Sequence, residues 1–204
     1  EAEKLLRGAF EADRRVLGAD HPSTLWIMNN VAAVCFKLGR LKEAETLNTQ
    51  LVEIRTHVLG KDHPRTLASM GNLALVYQAQ GRNDEAEAMT REVLETNRRV
   101  LGNEHLNTLL FRGALAGIIT SQGRYAEAET LYGETLALMR RVLGEKHPET
   151  LETMNGLAKL YLRQKRYDAA DALLAETFDS ARQTLGDESP YTTRSRYVRG
   201  CLEA

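Results

Sequence analysis

The stretch that decides the fold runs from Asp62-His63-Pro64-Arg65-Thr66-Leu67, through Met70-Gly71-Asn72-Leu73-Ala74 and Tyr77, past Gly81-Arg82 and Glu85-Ala86-Glu87, to Val100-Leu101-Gly102. Its closing Leu-Gly is one of five. The others stand at 17–18, 59–60, 143–144 and 185–186, a constant spacing of 42 residues. A fixed period of this size marks a solenoid, in which one supersecondary unit stacks on copies of itself. The openings repeat as well, at Asp20-His21-Pro22-Ser23-Thr24-Leu25, Glu104-His105-Leu106-Asn107-Thr108-Leu109 and Lys146-His147-Pro148-Glu149-Thr150-Leu151.

Glycine just past a helix and proline at the first position of the next are stop and start signals. Each unit is therefore expected to begin with a helix entered through His-Pro. Within it Leu67, Met70, Leu73, Ala74 and Tyr77 follow helical spacing. The helix closes at Gly81-Arg82, matched by Gly39-Arg40, Gly123-Arg124 and, with the glycine lost, Lys165-Arg166. A second helix then opens on Glu43-Ala44-Glu45, Glu85-Ala86-Glu87, Glu127-Ala128-Glu129 or Ala169-Ala170-Asp171. Acidic residues there suit the positive end of the helix dipole, and Arg98-Arg99 and Arg140-Arg141 suit the negative end. The small alanine lets the paired helices approach closely. The chain is read as all-α, a row of antiparallel helical hairpins.

These residues resemble the tetratricopeptide repeat. Met70-x-x-Leu73-Ala74-x-x-Tyr77, Gly81 and Ala86 match its pattern, although the usual period is about 34 residues. The 42-residue period, the His-Pro-x-Thr-Leu entry, Asn72-Leu73-Ala74 and the Val-Leu-Gly exit resemble the kinesin-light-chain-like type. HEAT and armadillo arrays have a similar period but lack the Gly-Arg-x-x-Glu-Ala hinge. The resemblance implies a right-handed α-solenoid, a tetratricopeptide superhelix running as one array over 1–204. In it 1–18 is the second helix of a preceding repeat, 19–60, 61–102, 103–144 and 145–186 are four repeats, and 187–204 opens a further or capping one. There the pattern weakens, with Arg199 standing where Leu157 stands one period earlier. An array beginning and ending within hairpins is expected to be part of a longer protein, or to have its ends covered.

Composition narrows the function. The 27 basic and 28 acidic residues leave a net charge of −1, which gives no reason to expect nucleic acid or an anionic membrane as partner. No apolar run approaches the ~20 residues that span a bilayer, and the N-terminal residues lack the plan of a signal peptide. Cys35 and Cys201 lie almost an array apart, so an intrachain disulfide is not expected; Cys35 is read as a small buried residue. Together these point to a reducing, cytoplasmic setting. His21, His63, His105 and His147 occur once per repeat, too far apart to share a metal, and are read as helix-entry caps. Phosphate loops, nucleophile elbows and zinc-binding His-Glu-x-x-His motifs are missing, and the Glu-Ala-Glu carboxylates do not share a helix face. The chain is thus expected not to be an enzyme and to need no cofactor and no metal.

In tetratricopeptide arrays the first helix of each hairpin lines a concave groove. Carrying its inward offsets over gives Trp26, Asn29, Ala33, Phe36 and Lys37 in the first repeat, and Leu75 and Gln78 in the second. Gly113 and Gly117 follow in the third, and Asn155, Lys159 and Arg163 in the fourth. These positions vary while the packing positions repeat, as expected if packing fixes one set and recognition uses the other. Trp26 is either a binding anchor or packs on residues 1–17. Lys37, Lys159 and Arg163 suit an acidic peptide. Asn30 and Asn72 match a family asparagine able to bond a peptide backbone; Ala114 and Gly156 replace it in later repeats. Gly113 and Gly117 are expected to leave a shallow, bare stretch. The resemblance implies a module that binds an extended or helical protein segment. The alternative is a structural or regulatory segment of a larger signalling protein, of kinase or nucleotide-switch type, that docks intramolecularly or self-associates through its exposed array ends.

Overall fold

The computed structural model describes residues 2–189, 191–193, 196 and 200. Among them are α1 (Ala2–Leu17), α2 (Pro22–Lys37), α3 (Leu41–Leu59), α4 (Pro64–Ala79), α5 (Asn83–Leu101), α6 (Leu106–Ser121), α7 (Tyr125–Val142), α8 (Pro148–Arg163) and α9 (Tyr167–Leu185). No strand occurs among the described residues. The protein is all-α, built of repeating helical hairpins. Most of the segment read as a first helix after 187, with Arg199 and Cys201, lies outside the described residues. The chain divides into two compact units, Glu1–Thr96 and Asn97–Ala204.

The expected histidine entry operates in every repeat, with proline after it in all but the third, where Leu106 takes its place. His21, His63, His105 and His147 are N-caps in extended backbone. Each Nδ1 accepts the backbone N–H two residues on, from Ser23 (3.2 Å), Arg65 (3.1 Å), Asn107 (3.1 Å) and Glu149 (3.2 Å). This satisfies one of the donors that a helix N-terminus leaves open. The histidines are therefore caps.

The threonine of the same motif accounts for the constancy of the glycine in Leu-Gly. Thr24, Thr66, Thr108, Thr150 and Thr192 donate their hydroxyls to the carbonyls of Gly18, Gly60, Gly102, Gly144 and Gly186, at 2.7–2.9 Å. Those glycines sit at φ between 84° and 96°, where a side chain is strained. A left-handed glycine presenting its carbonyl to a buried threonine staples the end of one hairpin to the start of the next.

Ala44, Ala86, Ala128 and Ala170 have no exposed surface, as close helix approach requires. In the first unit Ile27, Val31, Cys35, Ala44 and Val76 form one cluster, and Leu25, Met28 and Leu51 another. Leu6 and Phe10 of α1 pack against the first of these and Phe10 against the second. In the second unit Leu109, Ile119, Leu151, Met154, Leu160 and Leu174 are fully buried. Burial of such side chains gives roughly 1.5–3 kcal/mol each and dominates the stability of the hairpins.

Arg-Glu clips tie successive second helices together. Arg82 pairs with Glu45 at 2.6 Å, Arg166 with Glu129 at 2.7 Å and Arg40 with Glu3 at 2.5 Å. Gln80 and Gln164 donate to the same two carboxylates, Glu45 and Glu129. Arg82 and Arg166 also stack on Tyr77 and Tyr161, at 4.1 and 4.3 Å from the ring centres. These hydrogen bonds hold the carboxyls of Glu45 and Glu129 below the usual carboxylate range. The second acidic residue of Glu-Ala-Glu is thus a clip as well as a dipole complement.

Candidate functional site

The exposed face of α2 and α4 in the first unit carries most of the sequence-derived candidates. Trp26 is 63% exposed. Since α1 packs through Leu6 and Phe10 on other residues of α2, the indole stands clear of the core. Asn29 and Asn30 are half-buried, one helical turn further along. Asn72 of α4 donates through Nδ2 to Asn29 Oδ1 at 3.2 Å, so the two side chains bridge the helices.

Just beyond this bridge lies a cavity of about 120 Å³, lined by Ala32, Ala33, Phe36, Lys37, Asn48, Asn72, Leu75 and Val76. Five of these, Ala33, Phe36, Lys37, Asn72 and Leu75, are candidates read from the sequence. Leu75 is 45% exposed, and Lys37 is exposed at the end of α2. Gln78 is half-buried one turn on. The walls are largely apolar. The polar groups are the two asparagine amides and one ammonium at the rim, a combination that suits a side chain entering from a partner whose backbone runs across the opening.

Asn48 is the residue that the sequence reading missed. It projects from α3, a second helix, while the inward offsets were carried over from first helices alone. It is 3% exposed. Its Nδ2 donates to Ala44 O at 2.8 Å, and its Oδ1 is buried with no hydrogen-bond partner. The available signal was variation: the same register holds Asn48, Thr90, Tyr132 and Leu174 in successive repeats.

The second unit differs. Lys159 and Arg163 are exposed on α8, but Asn155 has no exposed surface at all. Contrary to the expectation from sequence, it does not lie on the accessible face: it is buried on α8, as are Met154, Leu157 and Ala158. Gly117 does not lie bare either. Tyr132 of α7, 6% exposed, reaches between α6 and α8. A Cβ at Gly117 would lie 3.3 Å from its Oη, and one at Gly156 only 2.7 Å from Oη and 2.8 Å from Cε1. Burial, with Glu152 nearby, pushes the Tyr132 hydroxyl well above its ordinary pKa. Gly113 is roomier, with Thr153 Oγ1 3.8 Å from a Cβ there.

Cys35 is buried beneath Arg7 and Arg40, whose Nη2 atoms lie 3.5 and 3.7 Å from Sγ. Burial raises its thiol pKa despite those cations, which keeps it a packing residue. Among the described residues no group of His, Cys, Asp and Glu is arranged to hold a metal ion, and no helix is long and apolar enough to cross a membrane.

Comparison with known proteins accords with this geometry. The family profile described as tetratricopeptide repeat matches residues 1–56, 26–99 and 108–183. A search of curated proteins finds no significant match. Among solved structures, the nearly identical TPR-like repeats of a putative kinesin light chain from Podosopora anserina are similar. Identity there is 29% over 90% of this chain and 87% of that one, with a TM-score of 0.68. BtubC (BKLC) from P. vanneervenii shares the fold at 20% identity and a TM-score of 0.77, covering 98% of this chain and 81% of that one. A Rap protein complexed with competence and sporulation factor does so at 16% and 0.78, covering 98% and 56%. A profile matching most of the chain, on hairpins stapled once per period, has one consequence: the chain belongs to the tetratricopeptide repeat family.

Proposed function

We propose that the protein is an interaction module that holds an extended or helical segment of a partner protein on the α2–α4 face of its first unit. The observation that carries this is the cavity between α2 and α4, flanked by the Asn29–Asn72 bridge and by exposed Trp26 and Lys37. On this reading the Asn72 amide bonds a peptide backbone, Trp26 supplies contact area, and Lys37 pairs with a carboxylate of the segment. In the second unit Lys159 and Arg163 offer cations, but Tyr132 occupies the space that corresponds to the cavity. The fold is capable of holding a ligand, as the Rap complex illustrates for that protein.

Trp26 is the only tryptophan of the chain, so it reports on its own surroundings. Peptides selected from a random display library on the immobilised protein are expected to shift Trp26 emission on titration. Asn72→Ala is expected to weaken them about tenfold, the loss of one well-made hydrogen bond. Selected peptides that bind the parent and Asn72→Ala equally, with emission unchanged, would sink the assignment to this face.

A further inference from the structure

Residues 48 and 132 occupy the same register two periods apart, and the structure assigns them opposite roles. In the second unit the phenol of Tyr132 enters the space between α6 and α8 from α7, against Gly117 and Gly156. In the first unit the residues at those two registers are Ala33 and Asn72, and both line the open cavity between α2 and α4. Asn48 stands where Tyr132 stands, and it is too short to fill that space.

We propose that this cavity is the subsite for one partner side chain, apolar along its length and carrying a hydrogen-bond donor at its end. Residue 48 keeps the first unit's slot open, while Tyr132 closes the second unit's slot from within. Size supports a single side chain: an apolar cavity of about 150 Å³ accepts benzene, and this one measures about 120 Å³. Ala32, Ala33, Phe36, Leu75 and Val76 favour an apolar body. Asn48 supplies the polar preference, because its amide is fixed by the bond to Ala44 O and its buried Oδ1 lacks a donor. The second unit provides the precedent, since a phenol is what fills the matching space there.

This inference rests on the α2–α4 face being the binding face, but its test needs no partner. The isotope-labelled chain is titrated with phenol and, separately, with toluene, which lacks the donor, and amide resonances are followed by NMR. Phenol is expected to move the Asn48, Asn72 and Leu75 signals at concentrations at least threefold below toluene, leaving Gly117 and Gly156 still. Asn48→Leu, which places the residue found at this register in α9, is expected to abolish the response. Tyr132→Asn is expected to add a second set of shifts at Gly117 and Gly156. Equal responses to the two probes, or shifts at Gly117 and Gly156 in the parent, overturn the proposal. The parent titration requires no variant, so a variant that fails to fold cannot shield it. A positive phenol result beside a library that yields no peptide would count against the binding reading while leaving the slot and its chemistry in place.

Discussion

Lys165 shows what a single residue costs when the pattern lapses. Glycine closes the first helix at Gly39, Gly81 and Gly123, with φ of 73–79°, and Lys165 is held at φ 61° in the same place. A residue with a Cβ is strained there by roughly 1–2 kcal/mol. Lys165→Gly is therefore expected to stabilise the chain by about 1 kcal/mol in urea denaturation, a gain reduced by the freedom glycine adds to the unfolded chain. Gly156 presents the reverse case. From sequence it reads as a lost asparagine, yet the structure ties its bareness to Tyr132. Gly156→Ala is expected to destabilise by about 1–2 kcal/mol through overpacking. In a Tyr132→Asn background the same change should be neutral or stabilising by up to about 1 kcal/mol, because alanine favours helix. Additive effects in that double-mutant cycle would refute the coupling. Neither residue's role was legible from its own repeat. Lys165 could be flagged only by comparison, and Gly156 only by knowing which helix reaches across to it.

At the scale of the element, helix limits and caps were the most legible features, because Pro, Gly and the apolar period act locally. His63, Thr66 and Gly60 show both the success and its limit. Histidine at the helix entry follows from position. The bond from Thr66 to the Gly60 carbonyl joins residues across a turn, and its geometry has no signature beyond invariance along the chain. The Glu45–Arg82 clip was hidden for the same reason: the partners lie on different repeats, 37 residues apart. Its contribution depends on pH with a definite sign. Hydrogen bonds from Gln80 and Arg82 lower the folded-state pKa of Glu45, so the stabilisation is complete above the unfolded value, about 4.3, and is lost as pH falls through the lowered one. Glu45→Gln should therefore be less stable than the parent near neutrality. It should also lose less further stability between about pH 5 and pH 3, as read by urea midpoints at each pH. An equally steep acid limb in both proteins would show that the clip contributes nothing measurable, the common result for exposed pairs.

Over the whole molecule, the period of 42 was enough to read an all-α row of hairpins, since packing repeats whatever the partner is. The two compact units use the same staple and the same buried alanine, yet they present different surfaces. The first holds an open slot between α2 and α4. The second closes its counterpart with Tyr132 and buries Asn155. Offsets carried over repeat by repeat treat all hairpins alike, so they pick out five residues that line the cavity, Ala33, Phe36, Lys37, Asn72 and Leu75, but they also pick out the buried Asn155 and pass over Asn48. The surface depends on side chains reaching through from second helices, a three-dimensional relation that a linear register does not encode. The most direct test of the binding claim is to equip a library-selected peptide with a benzophenone and map its crosslinks by mass spectrometry. Crosslinks are expected within α2 and α4, at Ala33, Phe36, Asn72 and Leu75. Crosslinks confined to α1, α3 or the second unit would contradict it.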